Sequence, residues 1–426
     1  MRRPDITCWP DNLATPTRLI ADIDTALTIT ALGRGGDGLA DIAAVPFALP
    51  GERIEGGRIV QSSAARQTPP CPHFTTCGGC RMQHANDAFL SAWKVEIVEN
   101  ALRAHGIDAA VTHRHTSPPG TRQRVAFSGR RTKKTVQIGF FAHRSNDLVP
   151  IDACDLLAPD IAAGLDMLRG IVRLAASRSS VVRLTVTASQ AGLDVLVEDA
   201  RPLTAEMLPQ LAEVAATSAR LTWNGDVVLL RAAPIHRFGK AEVIPPPGAF
   251  LQATPDGAQA LISAVLVEVD GASAIVDLFA GCGTFTLPLA ETAEVHAVEG
   301  DAAMLAAADQ GWRQATGLRR VTTEARDLFR RPLLASELNR FDAITIDPPR
   351  AGAAAQIAEI AKSVVPVVVH VSCNPASFAR DAATLVAAGY QLGTVAVVDQ
   401  FRWSTHVELV ATFRRTDNAR QSSPLR

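Results

Sequence analysis

The sequence predicts an α/β protein whose C-terminal part is an open, mainly parallel sheet covered by helices. Apolar β-forming runs recur at residues 274–279, 294–298, 341–346 and 364–371, and helix-like segments separate them. Each run stops at a turn or residue with chemical potential: Gly281-Cys282-Gly283, Glu299, Asp347-Pro348-Pro349-Arg350 and Ser372-Cys373-Asn374-Pro375. In such sheets ligands bind in the crevice beyond the carboxyl ends of the strands, so these turns are the first candidates for a site.

The totals bound the class. With 426 residues, 47% hydrophobic and 20% charged, the chain has material for about two to four domains with sizeable cores. No apolar run is long enough to span a bilayer, and Met1-Arg2-Arg3-Pro4-Asp5 leads into no apolar targeting segment. A soluble, cytoplasmic, monomeric protein without a membrane partner is expected. Seven cysteines, three of them between Cys71 and Cys80, are too few and too clustered for a secreted disulfide framework. A net charge of -1 gives no global attraction to nucleic acid, so such binding must come from a local patch.

Taken in order, residues 28–58 read as short strands separated by Gly33, Gly35, Gly36, Gly38 and Pro50-Gly51. They predict a small β-barrel or its remnant, or else a loop-rich extension. Next, Cys71, Cys77 and Cys80 form a C-x5-C-x2-C array with two glycines in its tight part. Thiolates are soft ligands for zinc or iron-sulfur clusters. Structural zinc favours two paired knuckles, whereas three local thiols plus the remote Cys154 fit a 4Fe-4S cluster better. Zinc and unligated thiols remain the alternatives, with His73 and His84 near enough to serve as other ligands. An amphipathic helix over 88–104 is expected to pack on this loop.

Residues 111–144 hold Arg114, Arg122, Arg124, Arg130, Arg131, Lys133, Lys134 and Arg144 without one acidic residue. Two β-like runs, 123–128 and 135–141, predict a hairpin with a cationic tip at 129–134 that is either a solvated face or a phosphate grip. A helix over 159–176, strands at 181–188 and 193–198, a helix over 203–216 and strands near Leu221 and Val227 predict a central α+β unit. Pro245-Pro246-Pro247-Gly248 reads as a stiff linker to the last domain, which opens with a helix through 258–267.

In that domain Gly281-Cys282-Gly283 lies between strand and helix, where backbone approaches a ligand closely. Glu299, at the end of the next strand, is placed to accept ribose hydroxyls. Thr286 stands where a pyrophosphate site wants a third glycine, so a nucleoside cofactor without pyrophosphate, such as S-adenosylmethionine, fits better. Cys373 at a strand end is a candidate nucleophile, against the commoner fate of a free cysteine as a small buried hydrophobe. The run 401–413 reads as a half-exposed edge strand with His406 and Glu408 on one solvated face. The polar tail after Arg414 is expected to be disordered.

Together these motifs resemble the RNA 5-methyluridine (uracil-C5) methyltransferase family. Asp277-Leu-Phe-Ala-Gly-Cys-Gly-Thr-Phe-Thr-Leu-Pro, Asp347-Pro-Pro-Arg-Ala-Gly, Val371-Ser-Cys-Asn-Pro and the His406-Val-Glu408 ending look like its four signatures in its order. Cys71, Cys77, Cys80 and Cys154 look like the cluster ligands of its iron-sulfur-containing 23S ribosomal RNA branch. The resemblance implies a C-terminal Rossmann-like class I methyltransferase domain (246–415), followed by the tail (416–426). Before it come a central α+β domain (157–245), an iron-sulfur subdomain with the basic hairpin (66–156) and a short N-terminal TRAM-like β segment (1–65). It implies Cys373 as nucleophile and Glu408 as base. Gln252, Phe279, Thr284, Glu299, Asp327 and Asp347 become the cofactor-side positions. The expected activity is S-adenosylmethionine-dependent methylation of uridine C5 in RNA, with ribosomal RNA as the favoured partner. The alternatives are a transfer-RNA uridine or cytosine-C5 methyltransferase, and an RNA-binding iron-sulfur module without catalysis.

Overall fold

The structure is a computed structural model that describes residues 26–415. Residues 1–25 of the expected N-terminal segment and the expected disordered tail at 416–426 lie outside the described residues. Six short strands come first: Leu27–Thr28 (β1), Ala31–Leu32 (β2), Gly38–Leu39 (β3), Ala44–Val45 (β4), Arg53–Glu55 (β5) and Arg58–Gln61 (β6). They make two three-stranded sheets, β1-β5-β6 and β2-β3-β4, around Leu27, Ile29, Val45, Ala48 and Ile54. Gly38 permits this closeness, since a Cβ there would stand 2.8 Å from the Ala48 carbonyl oxygen.

Asn86 caps the helix Asp87–Arg103 (α1) by accepting the Phe89 N–H. Its buried face carries Leu90, Trp93, Lys94, Val98 and Leu102. The far end of that face departs from expectation. Val98 and Leu102 join the core of the C-terminal domain, and the following strand Val111–Thr116 (β7) is an edge strand of the C-terminal sheet. The expected segment 66–156 is therefore not self-contained.

Arg124–Arg131 (β8), Val136–Phe141 (β9) and Leu148–Pro150 (β10) precede the helices Pro159–Ala163 (α2) and Leu165–Ala175 (α3). Val181–Ser189 (β11), Gly192–Glu198 (β12), the helix Leu208–Val214 (α4), Ser218–Trp223 (β13) and Asp226–Leu230 (β14) follow. The strands form one seven-stranded sheet, β10-β9-β8-β11-β12-β13-β14. Phe127, Ile138, Leu184 and Val195 share its core with Leu168, Val172 and Leu211 of the helices. The segments expected at 66–156 and 157–245 thus contribute to a single sheet. The helix expected over 159–176 breaks at Gly164, which sits so close to the sheet that a Cβ would come within 2.5 Å of Leu193 Cδ1. β8 runs through Arg131, so the hairpin turn shrinks to 132–135, closed by Thr132 N–H donating to the Thr135 carbonyl at 2.8 Å.

A hairpin of His236–Phe238 (β15) and Ala241–Val243 (β16) packs on the C-terminal domain through Ala241, Val243, Cys282 and Leu287. By packing, the boundary precedes residue 236 instead of falling in the Pro245-Pro246-Pro247-Gly248 linker. That linker is itself tied down, because the buried Arg220 donates to the Pro245 carbonyl at 2.8 Å and pairs with Asp194.

The remaining elements are Pro255–Glu268 (α5), Ala274–Leu278 (β17), Thr286–Leu289 (α6), Glu294–Glu299 (β18), Ala302–Gln314 (α7), Val321–Ala325 (β19) and Ala335–Leu338 (α8). Ala343–Ile346 (β20), Ala354–Lys362 (α9), Val367–Ser372 (β21), Pro375–Ala387 (α10), Tyr390–Asp399 (β22) and Leu409–Arg415 (β23) complete the chain. Their sheet runs β19-β18-β17-β20-β21-β23-β22-β7. β19, β18, β17, β20 and β21 are parallel, and β23 enters antiparallel to both neighbours. Helices α1, α9 and α10 pack on one face, and α5 and α6 on the other. Strand order reverses between β17 and β20, the switch point where an open sheet leaves a crevice.

The edge strand expected over 401–413 is a loop followed by an internal strand. Residues 401–408 lie outside regular structure, and β23 is sandwiched between β21 and β22. Alternation in a short run does not reveal its neighbours, so the sequence left Glu408 on a solvated face. The structure buries it to 4% exposure, while His406 stays exposed.

Candidate active site

The crevice is floored by the turn after β17. Phe279, Gly281 and Gly283 all adopt positive φ, a conformation that costs a non-glycine residue at Phe279 and shapes the loop for close backbone approach. Glu299, at the end of β18, braces this turn by accepting the Gly281 N–H at 3.0 Å and the Asp301 N–H at 2.9 Å. The rings of Phe279 and Phe329 lie 5.4 Å apart, and Asp327 holds the Phe329 segment by accepting its N–H at 3.0 Å. Thr284 is half-buried at the start of the helical turn. Beneath it Asp277, fully buried, accepts from the Thr286 hydroxyl at 2.5 Å, and burial pushes its carboxyl up to about 7.

Asp347 follows β20. Gln252 Nε2 stands 3.5 Å from Asp347 Oδ2, and burial pushes this carboxyl up to about 7 as well. Gln252 precedes α5, whose N-cap Thr254 accepts the Gly257 N–H.

Cys373 ends β21. The turn around it is held without the thiol: Asn374 caps α10 by accepting the Ala376 N–H, and its Nδ2 donates to the Arg350 carbonyl at 2.9 Å. The last paired residues of β21 and β23 are Ser372 and Leu409, so the next step along both strands sets Cys373 opposite Glu408. Burial, with help from the Glu408 and Asp347 carboxylates, pushes the Cys373 thiol up to about 11, against the pull of Arg350. Burial and Asp347 raise Glu408 well above the carboxylate range, although Gln400 donates to it at 3.3 Å. Two high carboxyls and a half-buried thiol thus meet beside the cofactor turn. Cys282, the other thiol of this domain, is buried and pushed up to about 12, which makes it inert. Alkylation of Cys373 by iodoacetamide in the free protein is expected to rise with pH without a plateau below about pH 9, because only the thiolate reacts. A plateau below pH 8, read by mass spectrometry of the Cys373 peptide, contradicts this environment.

The loop carrying Glu408 is anchored from the N-terminal side. The buried Lys94 of α1 pairs with Asp399 at 2.7 Å and donates to the Phe401 carbonyl at 3.2 Å. The Trp403 carbonyl accepts from both Arg81 and Met82 backbone N–H, immediately after Cys80. Sequence reasoning missed Lys94, since a lone lysine on an amphipathic helix gives no signal of burial. It missed Gln400 for the same kind of reason: no motif marks it.

Cys71, Cys77, Cys80 and Cys154 converge on one cavity of about 410 Å³, which His73, Arg122 and Phe401 also line. Among the described residues no group of three or more His, Cys, Asp or Glu is arranged to hold a metal ion. Gly78 allows the tight approach, since a Cβ there would stand 2.5 Å from the Phe141 carbonyl oxygen, and the Gly79 N–H points at Cys77 Sγ at 3.4 Å. His84 does not line the cavity; it is buried in a cluster with the rings of Phe47 and Phe74.

The basic run is dispersed. Arg114 lies on β7, and Arg122 stacks over Phe401 inside the cysteine cavity, 5.4 Å from the ring centroid. Arg130, Arg131, Lys133 and Lys134 occupy the outer end of the β8–β9 hairpin, where Arg131 reaches the carbonyl of Arg173 on α3.

The family described as tRNA (Uracil-5-)-methyltransferase matches residues 247–415. Over 404 residues the chain is 42% identical to an uncharacterized RNA methyltransferase of Brucella suis, covering 91% of this chain and 97% of that protein. It is 31% identical over 448 residues to the 23S rRNA (uracil(1939)-C(5))-methyltransferase RlmD of Halomonas elongata, covering 93% and 90%. In fold it is similar to the tRNA (uracil-54, C5)-methyltransferase of Pyrococcus abyssi in complex with S-adenosyl-L-homocysteine, with a TM-score of 0.71 at 21% identity over 91% of this chain and 100% of that one.

Proposed function

Because this chain belongs to the S-adenosylmethionine-dependent RNA uracil-C5 methyltransferase family, we propose that it methylates uridine C5 in 23S ribosomal RNA through a covalent adduct of Cys373, with Glu408 as base. The end of the β21–β23 ladder at Ser372 and Leu409, which leaves Glu408 within electrostatic reach of Cys373, carries the reading. Identity to a ribosomal-RNA enzyme supports the choice of RNA.

Uracil C5 is a poor nucleophile until something adds at C6, and a thiolate both adds and leaves readily. The Cys373 sulfur gives up its proton to solvent and bonds to C6, and the C5=C6 electron pair moves into an enolate over C5, C4 and O4. S-adenosylmethionine, when bound, supplies the electrophilic methyl group that C5 takes. Glu408 then accepts the C5 proton; those electrons restore C5=C6 and expel the Cys373 thiolate. The raised carboxyl of Glu408 suits this task, since once ionised it is a stronger base than an ordinary carboxylate. On the cofactor side, the Glu299 carboxylate would accept ribose hydroxyls beside the Gly281 turn. Phe279, Thr284 and Asp327 would line the nucleoside, and Gln252 and Asp347 would face the methyl-bearing end. The target base must leave its stack or lie in a loop to reach the crevice.

The four-cysteine cavity fits a 4Fe-4S cluster. A single ion needs its sulfurs at about 2.3 Å from one centre. Four soft thiols lining one cavity are the donor set that a larger iron-sulfur core takes. Cys71, Cys77, Cys80 and Cys154 would hold it, and its role would be structural, fastening the loop that continues through Arg81 to Trp403. The cationic hairpin end, with Arg173 alongside, would grip RNA phosphates.

Mapping 5-methyluridine in ribosomal and transfer RNA from cells with and without the gene tests the activity. A 23S uridine that loses its methyl group is the expected result, and loss confined to transfer RNA or to 5-methylcytosine overturns it. Anaerobically purified protein should contain iron and sulfide with broad visible absorption; stoichiometric zinc without iron overturns the cluster.

A further inference from the structure

Two buried polar residues of the crevice, Gln252 and Glu408, share one partner. Both are bonded to Gln400, which follows β22 and is 1% exposed. Gln400 Oε1 accepts the backbone N–H of Ala253 at 2.8 Å. Its Nε2 donates to Gln252 Oε1 at 2.6 Å and to Glu408 Oε2 at 3.3 Å. A backbone N–H cannot reverse its polarity, so this one contact decides the orientation of the Gln400 amide. Flipped, Gln400 would turn its oxygen toward two acceptors and its NH2 toward a donor. The direction passes on: with Gln252 Oε1 occupied, Gln252 Nε2 is the end turned toward Asp347. With Glu408 Oε2 occupied, its other oxygen is left for the crevice.

We propose that Gln400 is a positioning residue that fixes which end of the Gln252 amide and which oxygen of Glu408 face the substrate. The packing around it is close. A Cβ on Gly257 of α5 would stand 2.7 Å from Gln400 Cβ, so this residue's backbone and side chain are seated against the helix. The 399–403 loop that carries it is held by the buried Lys94–Asp399 pair. Gln400 therefore connects three separate parts of the chain, the stretch before α5, the end of β22 and the start of β23, at the level of the reacting atoms.

The proposal rests on the reading of Glu408 as the base. Around that carboxyl stand Asp347, which follows β20 and disfavours added negative charge, and Cys373, which follows β21. Gln400 is the neutral donor that favours the ionised form. Removing the donor therefore raises the pH at which Glu408 becomes a base.

The test uses the full-length protein and Gln400→Leu, which keeps the volume and deletes all three hydrogen bonds, with Gln400→Glu as a second variant that keeps the acceptor for Ala253 and lacks the NH2. Turnover on RNA is measured across pH, and covalent trapping is measured with RNA carrying 5-fluorouridine, whose C5 offers no proton to remove. For both variants kcat should fall about 10- to 100-fold and its acid limb should move upward by on the order of one pH unit. Adduct formation with 5-fluorouridine should stay within about twofold of the parent, since it does not need the base. An unmoved acid limb, or an adduct lost together with turnover in variants that still bind S-adenosylmethionine, overturns the positioning role. Absence of the adduct from the parent protein refutes the covalent reading itself, so the two failures are distinct.

Discussion

Cys373→Ala should abolish methylation of uridine in RNA, a loss on the order of 10⁶-fold, as expected when a nucleophile on which every later step depends is removed. Without addition at C6, C5 never acquires the electron density to take a methyl group, and no neighbouring side chain supplies a substitute. Cys282 is buried against α6 and α7 and pushed up to about 12. The substitution should leave the fold intact, because the bonds that shape the turn come from Ser372 and Asn374 and the thiol takes part in none of them. The measurement is methyl transfer to RNA beside calorimetric binding of S-adenosylmethionine. Lost transfer with retained binding is expected, and unchanged transfer ends the mechanism.

Glu408→Gln separates the two halves of the reaction. The amide keeps the shape of the side chain and an oxygen for Gln400, so Cys373 should still add to C6 and C5 should still be methylated. The C5 proton then has no acceptor, C5=C6 cannot re-form, and the enzyme remains bonded to methylated RNA. Turnover should fall about 10²- to 10⁴-fold, the usual contribution of a positioned base. A denaturation-resistant protein–RNA band should accumulate with time. A variant that turns over as the parent does, or one that is slow without forming that band, removes Glu408 from the role. The parent enzyme should also lose rate as pH falls through the raised range of Glu408, because the base must be ionised to act. That limb lies above the ordinary carboxylate range because burial and Asp347 hold the carboxyl there.

Much of the catalytic domain was legible because its signals are local. A buried parallel strand is a short apolar run, and the turn that ends it is a few residues long, so the sites of Gly281, Glu299, Asp347 and Cys373 could be assigned from neighbouring residues. The same held for the helix over 87–103, whose cap and apolar spacing lie within one stretch. Other expectations failed where partners are far apart in sequence. Nothing local tells that β7 joins β22, more than 270 residues later, or that the hairpin of β8 and β9 completes a sheet begun by β11. The basic run looked like one face because its charges are consecutive, yet its strands enter different sheets and Arg122 ends beside the cysteines.

Glu408 marks the division most clearly. The sequence by itself determined the chemistry that could be present: a strand-end thiol, a Gly-x-Gly turn, a carboxylate at the end of the next strand and a late carboxylate. Only the tertiary structure decided that β23 inserts between β21 and β22, which turns an apparently solvated glutamate into a buried carboxyl facing Cys373 and bonded to Gln400. The reason is physical. Residue type and periodicity fix what a strand can bury, whereas register and neighbours fix what each side chain meets, and the pKa of a carboxyl is set by what it meets.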